Sequence, residues 1–206
     1  VATEMAWIKA GSGNGTGAVS FDTGTFTANT FLTFMSYIER SADATNTEFR
    51  MGNNTIDSSG TDGTDGNYAR RRNADYNTTN PRDDVTIDQN GINLRTAGTN
   101  EFFFGHIVNI SSEEKLIIMH QCAQGSADAT NAPYSGEFVA KWDNTSNQAN
   151  IVGFYSGGSN TLSSTSNVSV IGSDGTDELN VQDGAIYYDT TLNKEYILSN
   201  NTWTEL

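Results

Sequence analysis

Few residues of the types that perform catalysis or bind metals stand out in this sequence. His106, His120 and Cys122 lie in two apolar segments that we expect to pair as a hairpin, which would bring a thiol near two imidazoles. Their spacing specifies no third orienting group, and a free Cys in a core strand is more often a small buried apolar residue. Motifs of hydrolases, metalloproteases, phosphate loops and dinucleotide-binding folds do not occur. The sequence therefore predicts no catalytic residue, no cofactor and no enzymatic activity.

Three carboxylates in a Gly-rich segment form the candidate metal site. Asp57, Asp62 and Asp65 lie within residues 57–67, and Ca²⁺ takes about six to eight oxygen ligands. The spacing differs from the alternating pattern of an EF-hand loop. Two interpretations stay open, a weak calcium site and a solvated loop of tight turns, and we assign no metal.

Arg70, Arg71 and Arg72 gather three of the eleven basic residues of an acidic chain. Alternation along a strand directs Arg70 and Arg72 to one face and Arg71 to the other. Guanidinium groups bind carboxylates in a bidentate manner, so the triplet is suited to pairing with a neighbouring subunit. Pairing with carboxylates of the same chain, within residues 75–84, is the alternative. We predict the three arginines as interface residues and leave their partners open.

The charge balance narrows the range of partners. The 206 residues include 25 acidic and 11 basic side chains, a formal charge of −14, so the surface repels phosphate backbones and anionic lipid. We therefore expect neither nucleic acid nor a membrane as a partner. The longest apolar runs, such as residues 116–119, are far shorter than the roughly 18 residues that indicate a membrane span. Cys122 is the single cysteine, so no disulfide forms within the chain.

Composition and periodicity predict an all-β protein. Short segments rich in Val, Ile, Phe, Tyr and Thr alternate with turn dipeptides such as Asn90-Gly91 and Asp174-Gly175. No window of a dozen residues holds an apolar period of about 3.6 residues. Two half-apolar sheets can bury their apolar faces only against each other. We expect a jelly-roll-like antiparallel β-sandwich with a small C-terminal β-hairpin appendage.

The apolar pattern also predicts the core. Phe31–Glu39 carries apolar residues on both of its faces, which indicates a central strand with both faces covered. Residues 102–110 and 115–122 are expected to pair as a hairpin. The predicted core residues are Phe34, Ile38, Phe103, Ile117, Phe138 and Trp142.

The C-terminal part is predicted to be a separate module. We place a β-sandwich domain at residues 1–173, and a polar linker with a β-hairpin at residues 174–206. A two-stranded hairpin is marginally stable alone, so its apolar side chains need cover, which we expect from a neighbouring subunit. Tyr187, Tyr188 and Trp203 are therefore predicted as interface residues.

Two sets of residues carry a resemblance to known proteins. The first comprises six blocks spread through the chain, at residues 7–9, 49–54, 67–70, 114–117, 131–133 and 137–148. They resemble successive blocks of a virion-associated structural β domain of tailed phages and related, often marine, viruses. The second set is Gly184-Ala185-Ile186-Tyr187-Tyr188-Asp189-Thr190-Thr191, followed by Asn193-Lys194 and Trp203. It is similar to a short module at the ends of phage fibre and capsid-surface proteins.

The resemblance implies a non-enzymatic structural component of a virus particle, on the particle exterior. We expect a capsid, capsid decoration or tail-associated assembly protein whose partners are copies of itself, as a trimer or lattice, and other virion proteins. The alternative is a host-receptor or glycan-binding domain of a tail fibre or spike, with Tyr134 and Tyr155 as aromatic glycan contacts. A glycan hydrolase would need two carboxylates about 5–10 Å apart in a groove.

Overall fold

The computed structural model describes residues 7–41, 47–59, 66–75, 82–94, 100–124, 133–157, 160–174, 184–190, 192–199 and 202–206. These residues contain sixteen β-strands and no helix, so none that could cross a membrane. The strands are β1 Ile8–Asn14, β2 Ser20–Asp22, β3 Phe31–Glu39, β4 Thr47–Asn53, β5 Thr55–Ile56, β6 Tyr68–Asp75, β7 Arg82–Gln89, β8 Ile92–Asn93, β9 Asn100–Val108, β10 Lys115–Ala123, β11 Tyr134–Trp142, β12 Ile151–Ser156, β13 Asn167–Ser173, β14 Ile186–Asp189, β15 Lys194–Ser199 and β16 Thr202–Glu205.

The strands form one large sheet and two smaller ones. The large sheet has eight antiparallel strands in the order β1-β13-β3-β9-β10-β11-β6-β7. A second sheet has the order β2-β12-β4-β5, with β8 also paired to β4. The predicted hairpin is confirmed, since β9 and β10 pair directly. The all-β sandwich predicted from the sequence is confirmed.

Side chains from the two sheets meet in an aromatic core. Phe34 of the large sheet stacks on Phe49 of the second sheet, with ring centroids 4.6 Å apart. Phe154 of β12 contacts Phe49 edge-on at 5.4 Å and Phe103 at 5.9 Å. All six residues predicted for the core are at most 1% exposed, namely Phe34, Ile38, Phe103, Ile117, Phe138 and Trp142. The period-two alternation therefore identified the inner face correctly.

Asn109, just after β9, ties the two sheets together at one end of the sandwich. Its side chain is completely buried. The amide nitrogen donates to the Asn29 carbonyl before β3 and to the Ala149 carbonyl before β12, each at 2.9 Å. The amide oxygen accepts from the Ala149 backbone nitrogen at 2.7 Å. One side chain thus joins segments that lead into both sheets.

Charged side chains are buried between the sheets as well. Arg40 and Glu101 form an ion pair of 2.8 Å in which both side chains are inaccessible to water. Lys115 is also buried, and its ammonium donates to the backbone carbonyls of Glu113 and Asn144. Burial lowers the pKa of Lys115, while the nearby Glu113 carboxylate opposes that shift. Each buried charge is therefore held by a specific partner rather than by solvent.

The C-terminal strands form a small sheet of their own. It has three strands in the order β14-β15-β16, one more than the hairpin expected from the sequence. The third strand was missed because Thr202–Glu205 is short and its alternation involves a single aromatic residue, Trp203. Leu198 is buried in this unit, whereas Ile186, Tyr188 and Trp203 are exposed.

Replacing Asn109 with Ala should destabilise the sandwich by about 3 kcal/mol, because the change leaves two carbonyls and one N–H buried without their partner. The measurement is the free energy of unfolding from urea titration. Asn14→Ala, at an exposed position in β1, is the matched control and should change stability by less than about 0.5 kcal/mol. Equal effects of the two substitutions would show that Asn109 does not link the sheets.

Candidate interaction surface

The side of the large sheet that faces away from the second sheet is unusually apolar. We call this side the outer face. In a sheet with one face in water, outward positions are normally polar. Here Met35 and Ile118 are 56% and 55% exposed, and Phe102 and Phe104 are exposed beside them. The large apolar residues of the outer face are Phe31, Met35, Val85, Ile87, Phe102, Phe104, Val108, Leu116, Ile118, Val139 and Ile171.

Strand register places these side chains in continuous rows. One row crosses six neighbouring strands through Thr33, His106, Ile118, Val139, Arg71 and Val85. The next row contains Met35, Phe104, His120 and Glu137. Opposed side chains in a sheet lie about 5 Å apart, so the apolar groups touch across strands and form one patch. A groove of about 320 Å³ on this face is bordered by Val85, Ile87, Leu116 and Val139.

Charges of both signs lie on the outer face, among them Lys9 in β1 and Glu39 in β3. Lys141 forms an ion pair of 2.7 Å with Glu114, and Glu137 lies 3.9 Å from His120. Arg71 is exposed on the same face. Among the described side chains of this face cations and anions therefore nearly balance, although the chain carries a charge of −14.

The expectation that both faces of β3 are covered is wrong for the single chain. Leu32, Phe34 and Ile38 are buried against the second sheet, whereas Phe31 and Met35 are exposed. The strand is interior, as expected, since it pairs with β13 and β9. Its second apolar face has no layer over it among the described residues, because the second sheet covers only the inner side.

The arginine triplet is split between the two faces of β6, as alternation predicted. Arg70 and Arg72 are buried, and each donates to the Asp84 carboxylate of β7, at 3.3 and 3.2 Å. The prediction that Arg70 and Arg72 are interface residues is therefore wrong, because a buried guanidinium cannot reach another subunit. Arg71 is the member of the triplet on the outer face.

His106, His120 and Cys122 all point to the outer face rather than into the core. Thr33 Oγ1 lies 2.9 Å from His106 Nδ1, and the His120 ring stacks on Phe104 with centroids 4.9 Å apart. Cys122 is exposed, which corrects the expectation of a buried thiol. The imidazoles thus pack among the apolar side chains, and each is engaged by a neighbour other than the thiol.

The two predicted glycan contacts lie in different sheets. Tyr134 is half-buried at the start of β11, opposite Ala123. Tyr155 is half-buried in β12, and the guanidinium carbon of Arg50 lies 4.3 Å from its ring centroid. One face of the Tyr155 ring is therefore already covered. Placed in separate sheets, the two rings do not make a single stacking platform.

The carboxylate of Asp57 accepts hydrogen bonds from its neighbours beside a polar pocket, and so its oxygens are not open to a metal ion. Its Oδ2 accepts from Trp142 Nε1 and from Asn67 Nδ2, both at 2.7 Å, and its Oδ1 accepts from the Ser59 backbone at 2.9 Å. Burial opposes ionisation of Asp57, but the hydrogen bonds outweigh burial and hold its pKa below the ordinary value. No group of three metal-binding side chains occurs among the described residues. Asp62 and Asp65 lie outside the described residues.

The pocket beside Asp57 has a volume of about 390 Å³. Apart from Ile56 and Trp142 its lining is polar, and Trp142 is almost fully buried. The polar lining residues are Asn53, Thr55, Asp57, Ser58, Ser59, Asn144 and Asn147. Such a lining suits hydroxyl-rich ligands but offers them little aromatic surface.

The predicted interface residues of the C-terminal sheet are placed at its surface. Tyr188 and Trp203 are 49% and 39% exposed. The side chain of Tyr187 lies outside the described residues. Ile186, Leu192 and Leu206 are also exposed large apolar residues of this part of the chain.

The outer face was missed as a site by the sequence reasoning, which assumed that apolar residues on both sides of a strand are covered. The signal was present in consecutive apolar residues of β9 and β10, such as Phe102-Phe103-Phe104 and Leu116-Ile117-Ile118-Met119. Runs of this kind place apolar side chains on both faces of a sheet. No family model, curated protein or solved structure matches this chain. The geometry described above therefore carries the functional argument.

Replacing Asp57 with Asn should lower the free energy of unfolding at pH 7 by about 1–3 kcal/mol, because the new NH₂ group must face an N–H donor. The depressed pKa means that ionised Asp57 stabilises the fold above its unfolded-state pKa. That contribution disappears as pH falls through the folded-state pKa. The difference between parent and variant in urea titrations should therefore shrink on acidification.

Asp143→Asn is the matched control for that experiment. The pKa of Asp143 is raised by burial and by the Asp57 and Glu114 carboxylates, so its ionised form costs stability above its unfolded-state pKa. Its replacement should leave stability at pH 7 unchanged or slightly higher. A similar loss for both variants would contradict the role given to Asp57.

Proposed function

We propose that this chain is a non-enzymatic assembly protein, a structural component of a virus particle that lies on the particle exterior. The observation that carries the assembly role is the exposed apolar outer face of the large sheet. An apolar patch of this kind typically marks a surface that another macromolecule covers. The virus assignment is supported by the resemblance of six sequence blocks and of the C-terminal segment to virion proteins.

The size of the outer face fits a protein partner. Its apolar residues extend over seven adjacent strands, from Ile171 in β13 to Val85 in β7, a width of about 29 Å at the usual strand spacing. Along β3 the outer face extends from Phe31 to Tyr37, about 20 Å. The product, about 600 Å², is the extent of the face with the polar side chains Thr33, His106 and Arg71 included, and it approaches the roughly 800 Å² that each partner of a stable complex buries.

The charge of the chain favours protein partners over other classes. At −14 the molecule repels nucleic acid and anionic lipid. Partners are then copies of the same chain, as a trimer or lattice, and other virion proteins. A capsid or decoration subunit would be present in many copies per particle, and a tail-associated subunit in few.

Glycan or receptor binding at a tail fibre or spike is the second candidate function. The polar pocket of about 390 Å³ beside Asp57 favours it, since Asn and Ser side chains hydrogen-bond sugar hydroxyls. A hydrolase needs a pair of carboxylates, and Asp57 is the single carboxylate among the described residues that line this pocket. A glycan array with the intact protein tests this candidate.

Removing residues 175–206 should leave a folded sandwich that no longer attaches to the particle. Asp174 is kept because its carboxylate accepts from the Thr30 backbone nitrogen at 2.9 Å and so belongs to the sandwich. The exposed Tyr188 and Trp203 are the contacts expected to be lost. Circular dichroism and thermal melting report folding, and immunoblots of purified particles report attachment and copy number.

Trp203→Ser in the full-length chain provides a milder version of the same test and should reduce attachment without affecting the melting of the sandwich. Unfolding of the truncated protein would show that the C-terminal sheet completes the main core. Absence of the intact protein from purified particles would refute the structural role itself.

A further inference from the structure

We infer that the outer face binds the outer face of a second copy of this chain, so that two large sheets pack against each other around a two-fold axis. This inference rests on the proposed assembly function and names the partner of its surface. Copies related by a two-fold axis present the same patch to each other, so the patch must suit itself.

Area favours a second sandwich over a smaller occupant. The part of the outer face over which the apolar residues are spread covers about 600 Å² by strand spacing and rise. The C-terminal sheet has three strands of four to six residues, and one face of it covers only about 200 Å². That sheet would leave most of the patch in water, whereas an identical outer face covers it completely.

Charge also favours a second copy at this face and disfavours contacts elsewhere. Two molecules of charge −14 repel each other across their acidic surfaces. The outer face combines the Lys141–Glu114 pair with Glu137 and the exposed Arg71. It is therefore a surface over which like-charged copies can approach closely, and its charged side chains offer both signs for pairing across the axis.

The shape of the face suits sheet-on-sheet packing. Two sheets stack about 10 Å apart with interdigitated side chains. The groove between Val85 and Leu116 can receive protruding side chains from the other copy. Met35, 56% exposed, has the flexible side chain that fills irregular gaps in such contacts. The two sheets within one sandwich and the two large sheets of neighbouring copies would then pack in the same way, face to face.

Sedimentation of the intact protein over a range of concentrations tests the inference. The parent should form a dimer, and Ile118→Lys should raise the dissociation constant by at least about 100-fold, because each dimer would bury two unpaired charges. Val19→Lys makes the same change at an exposed position near β2 and should leave the dissociation constant unchanged. Thermal melting should show that both variants fold.

The single cysteine gives an independent readout, since Cys122 lies exposed on the outer face of one copy. Maleimide labelling of Cys122 should be at least about 10-fold slower when the parent is dimeric than when it is diluted. In Ile118→Lys the rate should be fast at both concentrations. A Ser20→Cys, Cys122→Ser double variant places the thiol on the second sheet, where labelling should not depend on concentration.

Three results would overturn the inference. One is a parent that stays monomeric with Cys122 labelled equally fast at all concentrations, and another is a dimer that Ile118→Lys does not weaken. The third is a monomer that floats with neutral phosphatidylcholine vesicles, which would make lipid the occupant. None of these concerns presence in particles, so the proposed function fails separately, when the dimer forms but the protein is absent from purified virions.

Discussion

A β-sheet directs alternate side chains to opposite faces, so a sheet built from strands that are apolar throughout needs a covering layer on both sides. In this protein the inner strands β3, β9 and β10 of the eight-stranded sheet carry apolar residues on both faces, and the described chain supplies one layer, the sheet of β2, β12, β4 and β5. Leu32, Phe34 and Ile38 of β3 receive cover, while Phe31 and Met35 remain in water. The fold is thus complete for the inner face and incomplete for the outer one. That asymmetry is the physical basis for the proposed assembly role.

The distribution of charge reinforces this asymmetry. At least five of the eleven basic residues are buried, together with Glu48 and Glu101; the five are Arg40, Arg50, Arg70, Arg72 and Lys115. Burial of these cations removes positive charge from the surface of an already acidic chain. The inner face is apolar as usual, but the outer face also exposes apolar groups while these five cations are buried. A buried ion pair stabilises little relative to apolar packing, so stability alone does not account for the pattern. Copies that repel each other except at one apolar face, where the charges nearly balance, have a defined way to associate.

Alternation in the sequence predicted the strands and the inner core well, because period-two patterns report directly which residues share a face. It predicted that Arg71 and Arg72 point in opposite directions, but not that Asp84 pairs with both buried arginines, since that pairing depends on the β6–β7 register. The role of Asn109 was equally hidden, because its partners Asn29 and Ala149 are 80 and 40 residues away along the chain. The exposure of the outer face was not predicted for a different reason. A pattern of residues shows that a face is apolar, but whether anything covers it depends on how many layers the whole chain provides.

The edges of the large sheet explain why association would use its face. Exposed strand edges are a common route by which β proteins associate. Both edge strands, however, contain an irregularity, one between Lys9 and Gly11 in β1 and one where β7 pairs with β6 between Tyr68 and Arg70. The second coincides with a left-handed backbone at Asp88, with φ of 51°. Bulges bend and twist an edge so that another strand pairs with it poorly. With both edges interrupted in this way and the acidic surfaces repelling each other, the outer face is the part of the sheet that is left best suited to bind another copy.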